Sequence, residues 1–190
     1  ERLKDAGGSI VYSNVSPGAA HFQDPDNHGY VYHRAGSFGP GGQPIVGDDH
    51  LNVTHDAEGD TAMTERFCQE VLGDRKPAFA VLWQCEPDHS QHSHVLGSPA
   101  HLAAIAAADA NAATVAEAVD KLNTTGEDIL LLIGSDHGHE TVGDIVDLDA
   151  KLVAAGANPM ALLTNVYLLY VGQAQLANVA VSTSCYQLGC

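Results

Sequence analysis

Basic residues are scarce in this sequence. Its 190 residues include 8 lysines and arginines against 24 aspartates and glutamates, which gives a formal charge of -16 at pH 7. Proteins that bind nucleic acid by neutralising backbone phosphates need a basic face, so we expect no nucleic-acid-binding surface. Bound cations are expected to offset part of the negative charge, because metal-ligating carboxylates count as formal charge until the metal is included.

Cysteines and long apolar runs are also few. The four cysteines are scattered, and a chain of this length does not need a disulfide framework. No apolar run approaches the roughly 20 residues that span a bilayer, so no membrane association is expected. The phosphate-loop pattern GxxxxGK[ST] does not occur. The sequence indicates neither a localisation nor an oligomeric state.

The apolar runs that are present predict an α/β fold with a mainly parallel sheet flanked by helices. Apolar residues make up 45% of the chain, as in ordinary globular proteins. We predict strands at residues 9–15, 78–83, 128–133 and 161–171, and helices at 59–72, 98–122 and 149–155. The stretch 19–49 has little periodicity, and it is either a substrate loop or a solvated excursion.

Two clusters of aspartate and histidine follow two of these strands. Residues 78–133 form a strand–helix–strand unit, which makes the two strands parallel and near neighbours. Both clusters then lie at the carboxyl edge of the sheet, where open α/β sheets place their ligands. The first cluster contains Glu86, Asp88, His89, His92 and His94, and the second contains Asp136, His137 and His139.

Aspartate and histidine together suit zinc, manganese or iron. A loop that carries Asp88-x-x-x-His92 can wrap so that both side chains reach one ion, and a sharp turn at Gly138 would let Asp136 and His137 reach one. Two clusters at one edge would hold two ions about 4 Å apart, as in phosphoryl transfer. The spacing leaves open a register in which His94 or His139 is a ligand, and also a reading as polar loops without metal.

The segments EPDHSQHSHVLGSPAHLAAIAAADA and LLLIGSDHGHETV resemble the alkaline phosphatase superfamily, in particular its nucleotide pyrophosphatase/phosphodiesterase-like branch. The match covers roughly residues 80–142. The upstream stretch SPGAAHFQDPDNHGYVYH also resembles relatives of that branch, which include phosphonoacetate-hydrolase-like proteins.

The resemblance implies an alkaline-phosphatase-like fold with two divalent metal ions. Asp88 and His92 match two ligands of one ion, and Asp136 and His137 match two ligands of the other. We expect His89, His94 and His139 beside these ligands or facing the substrate. In the family a threonine or serine nucleophile attacks phosphorus and forms a covalent phospho-enzyme.

The sequence departs from the family pattern at both ends. We find no counterpart of the family's early aspartate and nucleophile before Ser9, and no histidine follows His139. Thr54, Thr61 and Thr64 stand in the wrong context, and none is nominated as the nucleophile. We therefore expect residues 1–190 to be one α/β metal-hydrolase domain that is partial, without the segments that carry the nucleophile and the last metal ligand.

The expected function is hydrolysis of phosphate mono- or diesters, nucleotide pyrophosphate bonds or phosphonates. The partner would be a small phosphorylated or phosphonate substrate, and the cofactors two divalent ions, zinc first with manganese or iron as alternatives. One rival is a catalytically incomplete metal-binding module, because no nucleophile is identified. Another is a related two-metal phosphomutase or sulfatase.

Overall fold

The centre of the protein is a five-stranded sheet that contains parallel and antiparallel pairs. The structure is a computed structural model, and it describes residues 8–141 and 147–156. The strand order is β4-β3-β2-β1-β5. The strands are β1 (Ser9–Ser13), β2 (Tyr30–His33), β3 (Ser37–Gly39), β4 (Gln43–Ile45) and β5 (Phe79–Trp83).

Strand β1 lies between β2 and β5 and is parallel to both. Val11 in the middle of β1 is in register with Val31 of β2 and Val81 of β5, and these valines pack in a small apolar cluster with Ala20. The carboxyl ends of the three strands therefore lie at one edge of the sheet. The strands predicted at 9–15 and 78–83 are confirmed as β1 and β5.

The prediction of a mainly parallel sheet is wrong, because β3 pairs antiparallel with both β2 and β4. Strands β3 and β4 lie in the stretch 19–49. Each of them has three residues, which is too short for an alternating pattern to show in the sequence. Gly41 and Gly42 between them have φ of 73° and 71°, a backbone conformation that favours glycine.

Helices pack on both faces of this sheet, and those on one face form the main core. The helices between residues 17 and 124 are α1 (Pro17–Phe22), α2 (Ala57–Arg66), which continues as a π-helical segment (Phe67–Arg75), α3 (Asp88–Gln91) and α4 (Pro99–Thr124), and a further helix, α5 (Leu148–Ala154), follows later in the chain. Ala20 of α1 packs with Val11 of β1, on the face opposite to Tyr12. Met63 and Val71 are fully buried, and they share a cluster with Tyr12 of β1 and with Val115 and Val119 of α4. The helices predicted at 59–72 and 98–122 are therefore confirmed.

Helix α4 begins where the sequence predicts. The Ser98 hydroxyl accepts a hydrogen bond from the His101 amide (3.3 Å), and Pro99 occupies the first turn. By length and composition α4 could also cross a membrane, a property that core helices of soluble proteins share.

The strand predicted at 128–133 is not formed. Residues 127–135 have no sheet partner among the described residues, and Leu130, Leu132 and Ile133 are 81%, 82% and 71% exposed. The Asn123 side chain bonds both the amide and the carbonyl of Ile129 (2.8 and 3.0 Å), in place of a neighbouring strand. The local sequence favours a strand, but strand pairing is a non-local interaction that this segment does not make.

Internal contacts separate a first unit, Glu1–Thr141, from a second, Val142–Cys190. The helix predicted at 149–155 is confirmed as α5, whose first turn is capped by Asp147, the acceptor of a bond from the Ala150 amide (2.9 Å). The strand predicted at 161–171 lies outside the described residues. The prediction of one partial domain over residues 1–190 stays a prediction.

Candidate metal centre

Asp88 lies just beyond the carboxyl end of β5, at the start of the short helix α3. The His92 amide donates to the Asp88 carbonyl (3.2 Å), so the two side chains are one helical turn apart on the same face. His92 Nε2 lies 3.3 Å from Asp88 Oδ2. The two side chains meet through a helical turn, where the sequence analysis expected a wrapped loop.

The second segment approaches the same carboxylate from far along the chain. His139 Nε2 donates to Asp88 Oδ1 at 2.7 Å, across 51 residues of sequence. His137 Nε2 lies 3.6 Å from Asp88 Oδ1 and 3.5 Å from Asp136 Oδ2. Among the residues predicted as ligands, His92 and His137 therefore lie beside Asp88, and Asp136 lies beside His137, although the predicted strand before the second pair is not formed in the described chain.

The donor atoms of Asp88, His92 and His139 fit a divalent ion. They all lie within 4.8 Å of one another. One carboxylate oxygen and two imidazole nitrogens form the mixed set that zinc, manganese and iron accept. Imidazole nitrogens can lie this close to a carboxylate when each carries a proton, and a metal ion can replace those protons. Within the described residues, this trio is the one group with such spacing.

A group of buried polar side chains lies beneath the loop that carries Asp88. Asp60 of α2 is fully buried, and it accepts hydrogen bonds from the amides of Cys85 (3.1 Å) and Glu86 (2.9 Å) and from Asn14 Nδ2 (2.9 Å). Burial raises the pKa of Asp60, and these hydrogen bonds oppose the rise. Burial and the nearby Asp60 charge raise the pKa of Cys85, so its thiol stays protonated and donates to Asp60.

A family model, described as type I phosphodiesterase / nucleotide pyrophosphatase, matches residues 10–185. The chain belongs to this family. Membership places it in the alkaline phosphatase superfamily, as the resemblance implied, and among enzymes that hydrolyse phosphoesters. No curated protein and no solved structure matched the chain.

Three histidines were expected beside the ligands or facing the substrate, and two of them, His89 and His94, lie apart from the Asp88 carboxylate. His89 points to His55, with ring centroids 4.4 Å apart. His94 is exposed, and its side chain has no hydrogen bond among the described residues. His139 was expected beside the ligands or facing the substrate, with a place among the ligands left open, and it makes the shortest contact to Asp88.

Two further histidines, His33 and His55, lie outside the Asp88 group, and the pKa of each is lowered. His33 is buried, with Nδ1 accepting from the Ala35 amide (2.9 Å), so Nε2 carries the proton that it donates to the Val15 carbonyl (2.8 Å). Burial lowers the pKa of His33 and keeps the ring neutral. Burial also lowers the pKa of His55, with Arg34 and His89 adding to the effect.

The sequence analysis did not identify Asp60, which is central to the loop's hydrogen bonding. Its neighbour Gly59 gives the only local signal, because a side chain there would collide with the Thr54 carbonyl. Helix α2 therefore packs closely on the preceding loop and carries Asp60 inward. One aspartate in an amphipathic helix does not reveal this burial in the sequence.

Proposed function

We propose that this family member is a metal-dependent hydrolase whose metal centre is assembled around Asp88. The observation that carries the proposal is the convergence on one carboxylate of His92, one turn away, and His139, 51 residues downstream. One carboxylate and two imidazoles that meet in this way provide a donor set that divalent ions such as zinc accept. The family's phosphoester chemistry supports a hydrolytic role for such a site.

The residues around Asp88 would bind the metal ion, and the ion would bind and orient the phosphoryl group of the substrate. Asp88, His92, Asp136 and His137 are the proposed ligands, and His139 either joins them or holds the Asp88 carboxylate in place through its Nε2 proton. A divalent ion supplies Lewis-acid stabilisation of charge on the phosphoryl oxygens. Asp88 is 46% exposed, so a substrate phosphate can approach the centre from solvent.

The finer assignment is part of the same proposal. Two ions, with zinc first and manganese or iron as alternatives, would each take one Asp–His pair. The substrate would be a small phosphate mono- or diester, a nucleotide pyrophosphate or a phosphonate. The net charge of -16 favours a small substrate that the metal ions attract over an extended polyanion.

The test is hydrolysis of bis-p-nitrophenyl phosphate and p-nitrophenyl phosphate by the chelated protein, with and without added Zn²⁺ or Mn²⁺. A hydrolase reading requires turnover that depends on metal and is lost in Asp88→Ala. Asp109→Ala, which changes an exposed aspartate on α4, serves as the matched control and should keep full activity. Metal binding without turnover of either ester would refute hydrolysis by this chain.

A metal-binding module without catalysis is the alternative that one observation favours. The hydroxyls of Thr54, Thr61 and Thr64 donate to the Asp56 carboxylate and to the carbonyls of Ala57 and Asp60. None of the three hydroxyls has a hydrogen bond to Asp88 or to another proposed ligand. The same assay distinguishes the two functions, because the module would bind metal stoichiometrically and release no p-nitrophenol.

A further inference from the structure

Asp60 is one of the least exposed charged residues of the described chain, and its bonds converge on one loop. Its carboxylate is 0% exposed and accepts the two consecutive backbone amides of Cys85 and Glu86. Asn14, at the carboxyl end of β1, donates to the same carboxylate. Asp60 thus ties α2 and β1 to the residues that lead from β5 into α3.

Glu86 continues this connection toward the metal centre. It is 8% exposed, and its two carboxylate oxygens accept the amide (3.0 Å) and the hydroxyl (2.9 Å) of Ser90. Ser90 lies inside α3, between Asp88 and His92. The His89 amide donates to the Cys85 carbonyl (2.9 Å), which fixes the same turn from its other side.

Burying two carboxylates in adjacent positions is costly unless their hydrogen bonds are satisfied. Here the loop that leads from β5 into α3 supplies most of these hydrogen bonds, with Asn14 as a further donor to Asp60, so the cost is fully offset only while the loop keeps this conformation. An apolar residue at either position would remove the cost and would also release the loop. The arrangement therefore favours one geometry of α3 over others.

We propose that Asp60 is a positioning residue for metal binding, acting through Glu86 and Ser90 to hold Asp88 and His92 in their ligating geometry. This inference rests on the proposed function, because it requires that Asp88 and His92 bind a metal ion. Asp60 itself lies under the loop, where its carboxylate accepts the bonds from Asn14, Cys85 and Glu86, and it is not among the proposed ligands. Groups that orient metal ligands in this way commonly change metal affinity 10- to 100-fold when they are altered.

The test compares Asp60→Asn with Asp24→Asn. Asp24 is a matched control, because it is 7% exposed and also accepts two backbone amides, those of His28 (3.0 Å) and Gly29 (2.7 Å), in a loop that carries no proposed ligand. Zn²⁺ and Mn²⁺ affinities are measured by titration calorimetry at a temperature where both variants are fully folded. The visible spectrum of the Co²⁺ form reports the ligand geometry.

We expect Asp60→Asn to weaken metal binding about 10-fold or more and to change the Co²⁺ spectrum, because an amide nitrogen in place of one oxygen cannot accept the Glu86 amide. Asp24→Asn should lower stability and leave affinity and spectrum as in the wild type. An unchanged affinity and spectrum in Asp60→Asn, or an equal loss in both variants, would overturn the inference.

Ser90→Ala tests the same connection if Asp60→Asn does not fold. It removes only the hydroxyl bond to Glu86, and we expect a several-fold loss of metal affinity. Wild-type affinity in that variant would overturn the inference. A wild-type protein that binds no metal would refute the proposed function itself, whereas a metal-binding wild type with insensitive variants would refute only the role of Asp60.

Discussion

The two segments that meet at Asp88 are held in different ways. The loop after β5 is fixed from below by Asp60 and Glu86, both buried, through hydrogen bonds to its own backbone. Residues 135–139 are mostly exposed, and their side-chain bonds in the described chain run to adjacent residues and to Asp88. The fold positions the first segment, whereas contacts at the centre position the second.

Because of this difference, we expect the protein fold to order the first segment and a bound metal ion to order the second. The first segment is expected to keep its shape in the metal-free protein. The second segment follows residues 127–135, for which the described part of the chain offers no sheet partner, so we expect binding of an ion at Asp88 to contribute to its order. Changes in the two segments should therefore have separable effects on stability and on metal binding.

The largest effect is expected from removing the carboxylate of each segment. Asp88→Ala and Asp136→Ala should each lower metal occupancy, because each deletes a charged ligand. If there are two ions, each variant loses one, and elemental analysis of the purified proteins measures this directly. Asp109→Ala is the control. Unchanged stoichiometry in both Asp88→Ala and Asp136→Ala would refute the site.

The next largest effect is on stability, and it compares an apolar residue of the core beneath the first segment with one that precedes the second segment. Met63 is fully buried, and Met63→Ala should lower the free energy of unfolding by about 2 to 5 kcal/mol. Leu132 is 82% exposed, and Leu132→Ala should change it by less than about 0.5 kcal/mol. Urea denaturation measures both. Comparable losses would show that residues 128–133 are buried as a strand.

The smallest effect concerns the cap of the helix that carries Asp60. Asp56 accepts the Gly59 amide at the start of α2 (2.8 Å), and Asp56→Ala should cost about 1 kcal/mol of stability at pH 7. Hydrogen bonds from Gly59 and Thr54 hold the pKa of Asp56 below its ordinary value of 3.8. The folded protein therefore binds this proton less tightly than the unfolded chain does.

The stabilisation by Asp56 is accordingly complete above pH 3.8 and is lost as the pH falls through the lower pKa of the folded state. Unfolding midpoints of wild type and Asp56→Ala measured across this range should converge at low pH. A difference that stays constant down to the lowest pH at which both proteins fold would contradict the capping role.

The sequence predicted the parts of the molecule that depend on local patterns. The apolar run of β5, the Ser98-Pro99 start of α4 and the two Asp/His clusters are each legible within a few residues. The predictions for 128–133 and for the β3–β4 hairpin were wrong or missing, because pairing depends on distant partners. Asp60 could not be identified for the same reason, since its bonds span 25 and 26 residues.

For the proposed ligands too, local patterns predicted the residues but not every contact that they make. Their identity was read from residue types and spacing, and the structure brings Asp88, His92, Asp136 and His137 together. A role for His139 as a ligand was left open by the sequence, because spacing in the second cluster does not say which of its two histidines turns toward Asp88. That choice depends on the path of residues 135–139, which no local pattern sets.

The most direct test of a centre shared by the two segments is a double-mutant cycle on metal affinity. Zn²⁺ binding is measured by calorimetry for the wild type, His92→Ala, His139→Ala and the double variant, with the exposed His94→Ala as control. We predict that both single variants weaken the same site, that the double variant deviates from additivity, and that His94→Ala binds as the wild type. Wild-type affinity in either single variant, or strictly additive losses, would contradict a centre built jointly by the two segments.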